Sequence, residues 1–162
     1  MSRKIFTSQD VVELVGVTPV HLNALVHRKL YKIRPSISGP GRRFRVFDED
    51  DLFGIALVWI LFESGLRTEE IRNILTSLLE NHRTADARQT AQIWFEIPGS
   101  EYLIVVRDPW DENHELRLDI GRAHQYEIAD IIARSPRASV LAIPIGPRFT
   151  EIQERIATKF GE

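Results

Sequence analysis

A short run of the chain gathers side chains suited to holding a polyanion and reading its edges. His21, Asn23, His27 and Arg28 lie within eight positions, followed by Lys29, Lys32, Arg42, Arg43 and Arg45. An asparagine amide pairs with the N6/N7 edge of adenine and an arginine fork with O6/N7 of guanine. Arginines and lysines neutralise phosphate without reading sequence. The basic types therefore suit the backbone of double-stranded DNA, and the amide and histidines suit its bases.

Elements of a particular kind must present these groups. Thr7 or Ser8 caps a first helix that has Asp10 near its exposed amides and buries Val11, Val12, Leu14 and Val15. Gly16 supplies the positive φ that ends it. Thr18 then caps a second helix with Pro19 at its first position, where a missing N–H costs nothing. Leu22, Leu25 and Val26 form its buried stripe, which turns Val20, His21, Asn23, Ala24 and His27 towards solvent or DNA. Strands at about Lys32 to Ile37 and Arg43 to Phe47 flank the turn Ser38-Gly39-Pro40-Gly41. A capped helix beside a basic hairpin is the sequence form of a winged helix-turn-helix, with the helix in the major groove and the wing on phosphate.

Local charge agrees. The net charge of the 162 residues is only −2, yet residues 1–47 carry nine Lys or Arg against two Asp or Glu. Affinity for a polyanion follows the local face rather than the total. Plainer readings exist for each group: His27-Arg28-Lys29 as cations at a helix C-terminus, and Arg42, Arg43 and Arg45 as guards of an edge strand. Their convergence on one helix and one hairpin favours DNA contact.

Other chemistry finds little support. Cysteine is absent, which removes disulfides, thiolate metal sites and thiol nucleophiles. His21, His27, His82, His114 and His124 show no metal-ligand spacing, so no metal is expected. Asp48-Glu49-Asp50-Asp51 reads as an acidic helix start rather than a cation site. The loop Asp108-Pro109-Trp110-Asp111-Glu112-Asn113 lacks EF-hand spacing and reads as solvated. There is no Gly-rich phosphate loop, G-x-S-x-G or H-E-x-x-H, so no enzyme and no cofactor are expected. The longest apolar run, Ile55 to Phe62, falls short of the ~20 residues that span a bilayer, and no signal peptide is visible, so the cytoplasm is expected.

Beyond the wing, Asp48 and Asp51 form a capping box for a third helix that is apolar on most faces from Leu52 to Phe62. Gly65 ends it and Thr68 caps a fourth, with Ile71, Ile74, Leu75, Leu78 and Leu79 on one stripe. Residues 83–91 read as a linker or helix extension. Strands are expected over Ile93 to Ile97, Tyr102 to Val106, about Leu116 to Ile120 and Val140 to Ile145, with helices over Arg122 to Arg134 and Arg148 to Phe160. The expected fold is α+β: a winged helix-turn-helix of four helices with a two-stranded wing over residues 1–83, then a small α+β domain over 84–162. The stripe Phe149, Ile152, Ile156 and Phe160 suits either packing on its own sheet or a helix–helix seam between two protomers.

Three separated signatures resemble the MerR family of transcription regulators. They are Phe6-Thr7 with Val11-Val12-Glu13-Leu14-Val15-Gly16-Val17-Thr18-Pro19 and Leu22, then Arg43-Phe44-Arg45-Val46-Phe47-Asp48-Glu49-Asp50-Asp51-Leu52, then Gly65-Leu66-Arg67-Thr68-Glu69-Glu70-Ile71. The resemblance covers about residues 5–80 and leaves the C-terminal half unassigned. It implies a homodimer on an inverted-repeat operator, with Thr18, Val20, His21 and Asn23 facing the groove and Arg45 and its neighbours on phosphate. It also implies RNA polymerase as a partner where promoter DNA is distorted. Two departures stand out. Members usually carry Arg-Tyr and an aromatic where this chain has Asn23-Ala24-Leu25, and they follow the fourth helix with a long dimerising helix where Trp94 to Val106 reads as strands. An architectural DNA binder of the excisionase kind, or a small-molecule receptor or enzyme in residues 92–162 tethered to DNA, are the alternatives.

Overall fold

Helix α3, Glu49–Glu63, organises the molecule, because every residue from Asp51 to Leu61 is buried. A helix apolar all round must be covered on all sides, and the covering elements come from both ends of the chain. The computed structural model describes residues 4–27, 36–38, 44–81, 102–107, 117–123, 129–130, 132–133 and 139–161.

In chain order the elements are β1 (Phe6–Thr7), α1 (Ser8–Val15), α2 (Pro19–His27), β2 (Ser36–Ser38), β3 (Phe44–Phe47), α3, α4 (Thr68–Asn81), β4 (Tyr102–Arg107), β5 (Arg117–Ala123), β6 (Ser139–Pro144) and α5 (Ile145–Phe160). Their starts are set locally. Thr7 and Asp10 form a reciprocal capping box on α1, and Asp48 and Asp51 form another on α3. Gly16 at φ +80° and Gly65 at φ +81° adopt the left-handed backbone that closes the turns after α1 and α3.

Two antiparallel sheets result. The first has the order β1-β3-β2, with Phe6 opposite Phe47, and Ser36, Ile37 and Ser38 opposite Val46, Arg45 and Phe44. Sequence patterns do not show β1, which is only two residues long. The second sheet has the order β5-β4-β6. Its central strand β4 buries both faces, and successive side chains alternate. Leu103 and Val105, with Ile143 of β6, join the main core; Ile104 and Val106 form a second cluster with Tyr102, Val140 and Ala142.

The main core contains Phe6, Val11, Leu14, Leu22 and Leu25 from the N-terminal segment, Ile71 and Ile74 from α4, and Ile145, Phe149, Ile152 and Ile156 from α5. Phe53 of α3 meets Phe149 of α5 edge-on, with ring centroids 5.2 Å apart. Phe6 and Phe160 meet at 5.7 Å and near-perpendicular. Phe149, Ile152 and Ile156 of the α5 stripe are therefore buried within their own chain against α1, α3 and β4, while Phe160 stays 44% exposed. The stripe packs on helices as well as on its own sheet.

Three boundaries differ from expectation. Arg122 lies in β5, whose Ala123 pairs with Tyr102 across an irregularity in register, so the expected helix from Arg122 does not begin there; helical backbone occurs at 129–130 and 132–133. Helix α5 begins at Ile145 rather than Arg148, with Pro147 in the first turn, where its missing N–H breaks no helical bond. Strand β6 correspondingly ends at Pro144, on the edge of its sheet. The expected strand Ile93 to Ile97 and the segment 83–91 lie outside the described residues.

Candidate nucleic-acid interface

The site is built on α2 and on the strand that passes beside it. Gly16 ends α1 with its N–H on Val12 O at 3.0 Å, and Val17, almost fully buried, anchors the turn. Thr18 then starts α2: its Oγ1 accepts the His21 N–H at 3.2 Å, and its carbonyl accepts from Leu22 N at 2.8 Å. Leu22 and Leu25 go into the core and Val26 is half-buried. The opposite side of the helix carries Val20, 76% exposed, with Asn23 and His27 also exposed.

His21 departs from this simple division. Its ring is half-buried, 5.0 Å from Trp59 and 5.6 Å from Phe62, which themselves stack at 5.6 Å on α3. Nδ1 lies 2.8 Å from Thr18 Oγ1. The imidazole is thus held from below by aromatic faces and from the side by the cap hydroxyl, which leaves Nε2 to meet a partner. A side chain held in this way has less rotamer entropy to lose on binding.

Asn23 is held too. Arg45 of β3 donates from Nη1 to Asn23 Oδ1 at 2.8 Å. The register of β3 against β2 and β1 places Arg45 at the middle of the first sheet's central strand, with Ile37 opposite it. This contact joins the candidate base-reading helix to the candidate phosphate-binding strand.

Of the residues singled out in the sequence, Thr7, Thr18, Val20, His21, Asn23, His27 and Arg45 are described, and all but Thr7 and Arg45 lie on α2 or its cap. Thr7 sits at the start of α1, where its hydroxyl donates to Asp10 Oδ2 at 2.7 Å and accepts from Asp10 N at 3.2 Å. Arg28, Lys32, Arg42 and Arg43 lie outside the described residues. Sequence reasoning does not place Trp59 and Phe62 in the site. Their spacing of three marks a shared helix face, but α3 is apolar on every side, so no stripe distinguishes that face.

Behind the site, α5 is clamped to α1. Lys159 Nζ reaches Asp10 Oδ1 at 2.7 Å and also pairs with Glu13, while Arg155 Nη1 donates to Leu14 O at 3.0 Å. Hydrogen bonding to Asp10 and Glu13 raises the Lys159 pKa above its usual value. The same bond from Lys159, with one from Gln9, lowers Glu13. Burial works against ionisation of Asp10, yet the bonds from Lys159 and Thr7 outweigh it and hold that carboxyl low as well. Among the described residues, no group of three His, Asp or Glu is arranged to hold a metal ion, and no helix is long and apolar enough to cross a membrane.

Residues 6–78 match the family model described as MerR HTH family regulatory protein. No curated protein matches the chain. The match begins at Phe6, the first residue of β1, and ends within α4, so it takes in the capped α2, the β2–β3 pair and α3. Residues 6–78 are thus similar to the helix-turn-helix of the MerR regulatory family, a likeness that supports a DNA-binding transcription regulator.

Proposed function

We propose that the protein is a homodimeric, sequence-specific transcription regulator, in which α2 enters the major groove and the β2–β3 hairpin lies along phosphate. The observation that carries this reading is the joint presentation, on one surface, of the exposed face of Val20, Asn23 and His27 and the guanidinium of Arg45. An exposed helix face with an amide supplies base-edge chemistry, and a basic strand beside it supplies charge. Arg28, Lys32, Arg42 and Arg43 extend the positive charge in sequence, with Thr7 and Thr18 contributing hydroxyls at the starts of α1 and α2. The dimer is inferred from the small reading surface of one copy, because specific sites are usually read by symmetric pairs one helical turn apart. The protein acts on promoter DNA in the cytoplasm, beside RNA polymerase.

The test is selection of duplexes from a random library by the full chain, followed by footprinting and a salt titration. The selected sites should contain an inverted repeat with half-sites ~34–36 Å apart. The logarithm of affinity should fall linearly with the logarithm of salt, by about 0.9 for each phosphate neutralised. Selection of no common sequence, or a footprint without two-fold symmetry, overturns the reading.

A further inference from the structure

The hydrogen bond between β3 and α2 spans 22 positions of sequence and serves neither element. Helix α2 has its cap and its buried stripe without it, and β3 has its backbone partners on both sides. The bond is directional. A guanidinium carries only donors, whereas a carboxamide has a donor end and an acceptor end. Turning the Asn23 amide over would bring its NH2 against the Arg45 N–H groups. The contact therefore settles where Asn23 lies and also which end of it faces the hairpin.

We propose that Arg45 is a positioning residue that sets Asn23 to read adenine, a proposal that rests on α2 being the reading helix. Bidentate reading of adenine requires the amide NH2 on N7 and the amide oxygen accepting from the N6 amine. With one lone pair of Oδ1 on Arg45, the other remains for N6, and both Nδ2 hydrogens remain for N7. Guanine offers acceptors at both N7 and O6, so the held Oδ1 would meet O6 acceptor against acceptor. An unrestrained asparagine rotates to relieve that clash; this one loses its bond to Arg45 if it does. The N–H groups of Arg45 not used on Asn23, and its charge, stay available for phosphate. The strand thus influences sequence choice without touching a base.

The experiment uses the full chain and a duplex that it selects from a random library, with each of the four base pairs placed in turn at the position where Asn23→Ala loses its preference. Arg45→Met removes both the charge and the bond. It should flatten the salt slope by about 0.9 and also cut the preference for adenine at that one position by ~10-fold, with preferences elsewhere unchanged. In the Asn23→Ala background, Arg45→Met should flatten the slope and change no preference. Arg45→Lys, which keeps the charge, should keep the salt slope of the parent. Equal weakening of all four base pairs by Arg45→Met, with Asn23→Ala still abolishing the preference, overturns the proposal and leaves α2 as the reading helix. An Asn23→Ala variant with unaltered preference at every position overturns the assignment of Asn23 and this proposal together.

Discussion

Thr18 serves two groups of one neighbour with a single oxygen. Its hydroxyl caps α2 by accepting the His21 N–H and also meets the His21 imidazole at Nδ1. Capping and side-chain placement are thereby linked, and removing the hydroxyl undoes both. Thr18→Ala should lower the stability of the full chain by about 1 kcal/mol, measured as a lower midpoint in urea with an unchanged slope, and should free the His21 ring from its hydrogen bond while Trp59 and Phe62 still flank it. An unchanged midpoint would show that the cap contributes nothing. The Thr18 cap and the Gly16 turn are legible in the sequence, because both act within a few residues of themselves and depend on residue type alone. The bond from Arg45 to Asn23 is not. Residue type marks one for phosphate and the other for bases, but only tertiary proximity brings them together, and no spacing rule encodes that.

Among elements, α5 departs furthest from what its sequence pattern suggests. An amphipathic stripe states that a face is buried and leaves open what buries it. Here Phe149, Ile152 and Ile156 go into the core shared with α1 and α3. By contrast, α4 lies where its periodicity indicates, although Thr68 is its first helical residue rather than its cap and the Arg67 carbonyl accepts the Ile71 N–H; the Asp48–Asp51 capping box starts α3 as expected. The attachment of α5 to α1 through Lys159 gives a dependence on acid with a definite sign. Asp10 and Glu13 both ionise more readily in the folded chain than their ordinary values of 3.8 and 4.5. Their contribution is complete above those values and is lost as pH falls through the lower folded values. Lys159, raised above 10.5, keeps its contribution at neutral pH and loses it only in stronger alkali. Lys159→Met should therefore lower the melting temperature at pH 7, and the difference from the parent should shrink towards zero below the folded values of the two carboxylates. A penalty equal at pH 7 and in strong acid would rule out the charge pairing as its source.

At the scale of the molecule, the N-terminal and C-terminal segments share one core. Besides the Phe53–Phe149 contact, Glu63 pairs with Arg148 at 2.8 Å and Glu70 with Arg107 at 3.0 Å, tying α3 to α5 and α4 to β4. These ion pairs are partly exposed and contribute little individually; the buried apolar contact stabilises the junction more. Phe149→Ala should destabilise the chain by ~3–5 kcal/mol. Because the cavity opens against α3, the near-ultraviolet signal of Trp59, isolated by difference from Trp59→Phe because the chain has three tryptophans, should report the loss at the same denaturant concentration as far-ultraviolet signals from the whole chain. Two separate transitions, with Trp59 unaffected by the substitution, would show that the segments unfold independently.

The clamp between Arg155 and the Leu14 carbonyl also sets a schedule for synthesis, since the two residues are 141 positions apart. At roughly 5–20 residues per second, α1 leaves the ribosome on the order of ten seconds before the residues that cover it. For that interval Val11 and Leu14, and later Phe53, lack their final partners, so the nascent chain presents apolar surface to chaperones and to other chains. Slow codons between α4 and α5 would lengthen the exposure, whereas supplying α5 as a separate peptide during translation would shorten it.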